Sequence, residues 1–89
     1  MKEALRIFKA LNDRTRLKIV AFLMEEGEKC VCEIVPVTGR TQSTVSSQLA
    51  KLEDLGIIAS RRDGKSVYYR VVNRKVERIL KILKDELTE

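Results

Sequence analysis

The sequence predicts a mainly α-helical domain carrying a single β-hairpin, in the order helix, helix, helix, helix, strand, strand, helix. Three observations point there. Apolar residues recur at helical spacing through most of the chain, and one Asp-Gly dipeptide is flanked by β-branched and aromatic residues. Glycines also punctuate the ends of the helical patterns. The 89 residues suffice for one domain spanning 1–89. A chain this short removes only about 60 to 65% of its unfolded surface from water, so a partner subunit would add to its core.

Taken in order, Leu5, Phe8 and Leu11 give the first helix one apolar stripe, and Asn12-Asp13 then offers an N-cap for a second. The second helix, about Arg14 to Glu26, has Leu17, Val20, Ala21 and Met24 on one face with Ile19, Phe22 and Leu23 beside it. It is apolar most of the way round, as a central core helix should be, and Gly27 ends it. The run "CVCEIVPV" reads as a short third helix, followed by "TGRT" as a turn. "TQSTVSSQLAKLEDLG" reads as a fourth, with Val45, Leu49 and Leu52 facing inward and Gly56 just past its end. Asp63-Gly64 is expected to form a two-residue type I′ turn between strands near Ile58 to Arg62 and Lys65 to Val72. Asn73 caps a last helix whose stripe is Val76, Ile79, Leu80, Leu83 and Leu87.

Composition narrows the function. With 44% apolar and 35% charged residues the chain is a folded, soluble type and too apolar for a disordered one. A net charge of +5 favours a polyanionic partner. The start "MKEALRIFKAL" is charged throughout, and no apolar run nears the roughly 18 residues of a membrane span, so neither signal peptide nor anchor is expected. The expected location is the cytoplasm, with no membrane partner, where two thiols are normally reduced.

The third and fourth helices with their glycine-containing turn have the form of a helix-turn-helix. If Val45, Leu49 and Leu52 face the core, Ser43 and Ser47 point outward, with Thr44, Ser46 and Lys51 on the flanks. Short hydroxyl side chains let the helix approach a duplex closely, and Gln42 in its first turn can pair with an adenine edge. The same Ser/Thr content would also serve as capping chemistry alone. In the hairpin, an Asp63-Gly64 turn would set Arg62 opposite Lys65, a repulsive pair that a phosphate would relieve. With Arg61 this reads as a basic wing on the DNA backbone, the alternative being a solvated charged edge.

The residues "FKALNDRTRLKIVAFL", "CVCEI", "TQSTVSSQLAKLEDLGII" and "RRDGKSVYYRV" together resemble the ArsR/SmtB family of winged helix-turn-helix repressors over nearly the whole chain. The resemblance implies a homodimer through the first and last helices, with interface stripes of Leu5, Phe8 and Leu11 and of Val76, Ile79, Leu80, Leu83 and Leu87. It implies double-stranded operator DNA as partner, with Gln42, Ser43, Thr44, Ser46, Ser47 and Gln48 in the recognition segment and Arg62 and Lys65 in the wing. Gln48 stands where many members have histidine. It also implies transcription regulation by repression that an inducer relieves.

Cys30 and Cys32 match the Cys-Val-Cys pair of the arsenic- and cadmium-sensing members, so As(III), Cd(II) or another thiophilic metal ion is the implied inducer, with no cofactor required. A third cysteine expected of arsenic sensors is replaced by Val35, and without histidine an imidazole zinc site cannot be built. On a regular helix residues i and i+2 point about 200° apart, so joint chelation requires this segment to be extended or unwound. Pro36 lacks the N–H that would bond the Cys32 carbonyl. Thiolate ligands, redox partners joined in a tight disulfide, and two small buried hydrophobes remain open readings of the pair. An enzyme, at most a thiol oxidoreductase, is disfavoured by the lack of a histidine base, a glycine-rich phosphate loop or clustered carboxylates.

Overall fold

The computed structural model of the chain describes residues 1–87. Its elements are α1 (Lys2–Leu11), α2 (Arg14–Glu26), β1 (Lys29–Cys30), α3 (Val31–Thr38), α4 (Gln42–Asp54), β2 (Ile58–Asp63), β3 (Ser66–Val71), α5 (Arg74–Ile82) and α6 (Lys84–Leu87). The helices lie where the apolar periodicity puts them. β1 was not expected: two residues are too short to carry an alternation, and only pairing with a distant strand defines them. The last helix is also interrupted at Leu83, so the expected continuous stripe through Leu87 is split between α5 and α6.

Side-chain chemistry fixes the helix ends. Asp13 accepts from the Arg16 N–H at 3.0 Å and starts α2, while Asn73 accepts from Lys75 and Val76 and starts α5. Thr41 caps α4 through the Thr44 N–H. At the other end of α4, Gly56 takes φ 75° and its N–H bonds the Glu53 carbonyl, while the Ile57 N–H reaches back to Leu52. This is a Schellman closure, and it turns the buried Ile57 and Ile58 into the sheet.

The sheet is antiparallel in the order β1-β3-β2. Asp63 pairs with Ser66 and Arg62 with Val67, so the turn residues are Gly64 and Lys65 and not Asp63 and Gly64. Gly64 has φ 63° and no residue other than glycine has positive φ among the described residues, so Lys65 does not, which is the type II′ pattern in place of type I′. The expected Arg62–Lys65 pairing therefore does not occur, and its repulsion cannot argue for a phosphate. Lys65 stands at the tip and Arg62 one step down the strand.

The core is formed by Ile7, Ala10, Ile19, Val20, Leu23, Ile34, Val45, Leu49, Leu52, Ile57, Ile58, Val76 and Leu80. α2 is its centre as expected, although its most buried side is Thr15, Ile19, Val20 and Leu23, with Leu17, Ala21 and Met24 only half-buried. Val76 and Leu80 are 0 and 3% exposed within their own chain and pack into this core. Ile79 and Leu87 pack partly against the same core.

Candidate nucleic-acid interface and cysteine pair

Two structures meet at one face of the molecule. α3 and α4 are joined by Gly39-Arg40-Thr41, where Gly39 takes φ 69° and the Thr38 hydroxyl accepts from the Arg40 N–H at 3.1 Å. A left-handed residue here favours glycine and sets the angle between the two helices. Val45, Leu49 and Leu52 are fully buried, which leaves Gln42, Ser43, Ser46, Ser47 and Lys51 exposed. Thr44 is turned partly inward, where its hydroxyl accepts from Thr41. Gln48 is half-buried, and its Oε1 accepts from Arg16 at 2.9 Å.

The hairpin supplies the cations. Ser60, on β2, donates to Glu53 of α4 at 2.6 Å, and alternation along the strand puts Arg62 on that same α4 side of the sheet. Arg62 and Lys65 are exposed and without an ion-pair partner among the described residues. Arg61 points the other way. Its guanidinium stacks 4.8 Å over the Tyr68 ring and bonds Glu28 at 2.7 to 2.8 Å, with Arg70 at 3.8 Å from the same carboxylate. The Arg61 hydrogen bond holds the Glu28 carboxyl below its ordinary pKa. Of the three wing cations expected on DNA, one is thus neutralised inside the chain. Nothing near Arg61 along the chain signals this, because Glu28 lies far from it in sequence.

Cys30 and Cys32 are joined by a disulfide, with their Cα atoms 5.3 Å apart. Cys30 ends β1 in extended conformation as the N-cap of α3, and its N–H donates to Glu33 at 3.1 Å. The pair thus straddles a strand–helix boundary, the departure from regular helix that sulfur-to-sulfur approach requires. Pro36 lies inside α3 without breaking it. The disulfide lines a cleft of about 460 Å³ whose lining also includes Gln42 of α4 and Lys65, Ser66 and Val67 of the hairpin. Among the described residues no three Cys, Asp, Glu or His side chains form a metal cluster, so this chain alone offers a thiophilic ion two sulfurs, and only after reduction.

A helix-turn-helix with its second helix bared, flanked by a sheet hairpin tipped with free cations, defines a winged helix-turn-helix DNA-binding transcription regulator. Comparison with known proteins then gives the family. Residues 13–60 match the model of the bacterial regulatory protein, arsR family, and the chain belongs to the ArsR/SmtB family of regulators, which are not enzymes. It is 40% identical to an uncharacterized helix-turn-helix-type transcriptional regulator of Methanocaldococcus jannaschii, over 97% of this chain and 96% of that one. It is 41% identical to the cadmium resistance transcriptional regulatory protein CadC of Listeria innocua, over 84% of this chain but 63% of the relative. Among solved structures, the transcriptional repressor BigR of Xylella fastidiosa superposes with a TM-score of 0.88 at 32% identity, covering 99% of this chain and 89% of that one. No helix among the described residues is long and apolar enough to cross a membrane.

Proposed function

We propose that the chain is a homodimeric repressor that binds an inverted-repeat operator and is released when a thiophilic metal or metalloid ion engages Cys30 and Cys32. The observation that carries the release step is the position of the pair. Its two sulfurs sit together in the cleft between the first turn of the recognition helix, at Gln42, and the wing tip, at Lys65. An ion held there pulls on both DNA-contacting parts at once. Soft sulfur donors suit As(III), Cd(II) and their like, and relatives include the Escherichia coli arsenical resistance operon repressor, 42% identical over 75% of this chain and 57% of that one.

Dimerisation is supported by apolar surface that the chain leaves bare on its terminal helices. Leu5 and Phe8 on α1 are 61 and 57% exposed, and Ile82 and Leu83 at the end of α5 are 82 and 41% exposed. Mycobacterium bovis Mb0332, a solved relative described as a homodimeric winged helix-turn-helix DNA-binding domain, has a TM-score of 0.81 at 32% identity, over 93% of this chain and 76% of that one.

The disulfide itself favours a second reading. Two thiols would pass two electrons to a small-molecule disulfide, releasing two equivalents of thiol, and the closed pair would alter the same cleft. Fluorescence anisotropy on the chain's own promoter DNA separates the readings. Release of reduced protein by arsenite or cadmium, with new sulfur charge-transfer absorption, is expected for the ion. Release by oxidised glutathione alone assigns the signal to redox, and release that survives Cys30→Ser/Cys32→Ser excludes both.

A further inference from the structure

Arg16 occupies a place that DNA binding by α4 and the wing does not use. Its side chain is only 12% exposed, beneath the recognition helix. Nε donates to the Ala10 carbonyl at 2.6 Å, Nη2 reaches the Lys9 carbonyl at 3.5 Å, and Nη1 donates to Gln48 Oε1 at 2.9 Å, with Asp13 Oδ2 3.8 Å from Nη1. The guanidinium is thus held at the end of α1 and cannot swing, and it has donors only. Whichever end of the Gln48 amide faces it must therefore be the carbonyl oxygen.

That fixes the other end. The Gln48 amino group is turned away from Arg16, and it has no partner among the described residues. Glutamine reads adenine by using both ends of its amide, Oε1 accepting from N6 and Nε2 donating to N7. Gln48 has its oxygen directed into the protein, whereas Gln42, exposed and unheld, keeps both ends free.

We propose that Arg16 is a positioning residue that makes Gln48 a donor-only contact, so that Gln48 meets a hydrogen-bond acceptor of the duplex, either a phosphate oxygen or a purine N7. The inference rests on α4 being the recognition helix. It adds to that reading a specificity determinant that lies off the DNA surface.

The test uses a duplex selected by the wild-type chain from a random pool, together with copies carrying one methylphosphonate or one 7-deazapurine in the half-site. Wild type is expected to lose about tenfold in affinity at one such substitution, the first kind for a phosphate contact and the second for a base contact. Arg16→Met, which removes the donors, and Gln48→Met are each expected to bind the unmodified duplex about tenfold more weakly and to be indifferent to that substitution. Retention of wild-type affinity, or of the substitution penalty, by either variant overturns the assignment. If Arg16→Met melts below the assay temperature, Gln48→Met decides, because Gln48 is half-exposed. Weaker binding by Gln42→Ala with unchanged Gln48→Met overturns only the Arg16–Gln48 assignment, whereas indifference to both changes overturns the placement of α4 in the groove as well.

Discussion

Glu28 holds Arg61 on the far side of the sheet from α4, its Oε1 accepting from Nε and standing 2.7 Å from Nη2 of the guanidinium. A cation that sequence places on DNA is therefore spent within the chain, and Glu28 acts as a restraint on the wing's total charge. Glu28→Gln is expected to free Arg61 for phosphate. The slope of log affinity against log salt should then steepen by about one unit on random duplex DNA. An unchanged slope would mean that Arg61 has no reach to the backbone even when released.

Arg62 and Lys65 are expected to behave differently from α4. Either one changed to Ala should weaken binding by a similar factor on every sequence and flatten the salt slope by about one unit. Gln42→Ala or Ser47→Ala should instead alter which sequences are preferred. Competition binding on specific and random duplexes measures both, and equal effects of all four on random DNA would refute the division of labour.

Asp13 caps α2 and also flanks Arg16. The Arg16 N–H, foremost, and the guanidinium beside it hold the Asp13 carboxyl below its ordinary value of 3.8. The unfolded chain therefore takes up this proton first on acidification. The resulting stability is fully present above the ordinary value and is lost as pH falls through the lower, folded one. Asp13→Ala should cost about 1 kcal/mol at neutral pH. Urea melts at decreasing pH should show the gap from wild type closing on the acid side of 3.8, and a gap that widened there would reverse the sign.

Leu5 and Phe8 turn away from the core that Ile7 and Ala10 complete. Phe8→Glu is expected to leave the fold intact by circular dichroism while converting a dimer to monomer in sedimentation. Operator affinity should fall by more than about tenfold, since one half-site is then bound alone. A Phe8→Glu protein that still sedimented as a dimer would place the interface elsewhere.

The helices of this chain were legible because apolar spacing and capping residues act locally: Asp13, Gly27, Gly56 and Asn73 each sit at the helix end their chemistry predicts. The hairpin was legible in place but not in register. Asp-Gly suits a type I′ turn, yet Gly64-Lys65 makes a type II′ turn equally open to this sequence, and only the pairing of Arg62 with Val67 decides between them. Exposure on the terminal helices was half legible. Val76 and Leu80 carry the same periodic signal as an interface stripe, and periodicity cannot say whether the apolar face meets its own core or another chain. Contacts across the fold, such as Arg16 with Gln48 and Glu28 with Arg61, leave no mark on local sequence at all.

β1 meets β3 by pairing Lys29 with Tyr69 and Cys30 with Tyr68, about 40 residues along the chain. The helices close through near neighbours, and so does the hairpin, whereas this contact must wait for a long loop to close. During folding β1 is therefore expected to be the last strand captured, and as the chain is synthesised it can find no partner until Tyr69 has been made. Through that interval Cys30, only 5% exposed in the finished protein, stands open to any electrophile. Pulse alkylation during refolding of the reduced chain should find Cys30 becoming unreactive in a later phase than the helical signal appears, and simultaneous protection would deny this order. The sulfur that the folded protein buries more deeply is thus the one its own topology leaves unguarded longest.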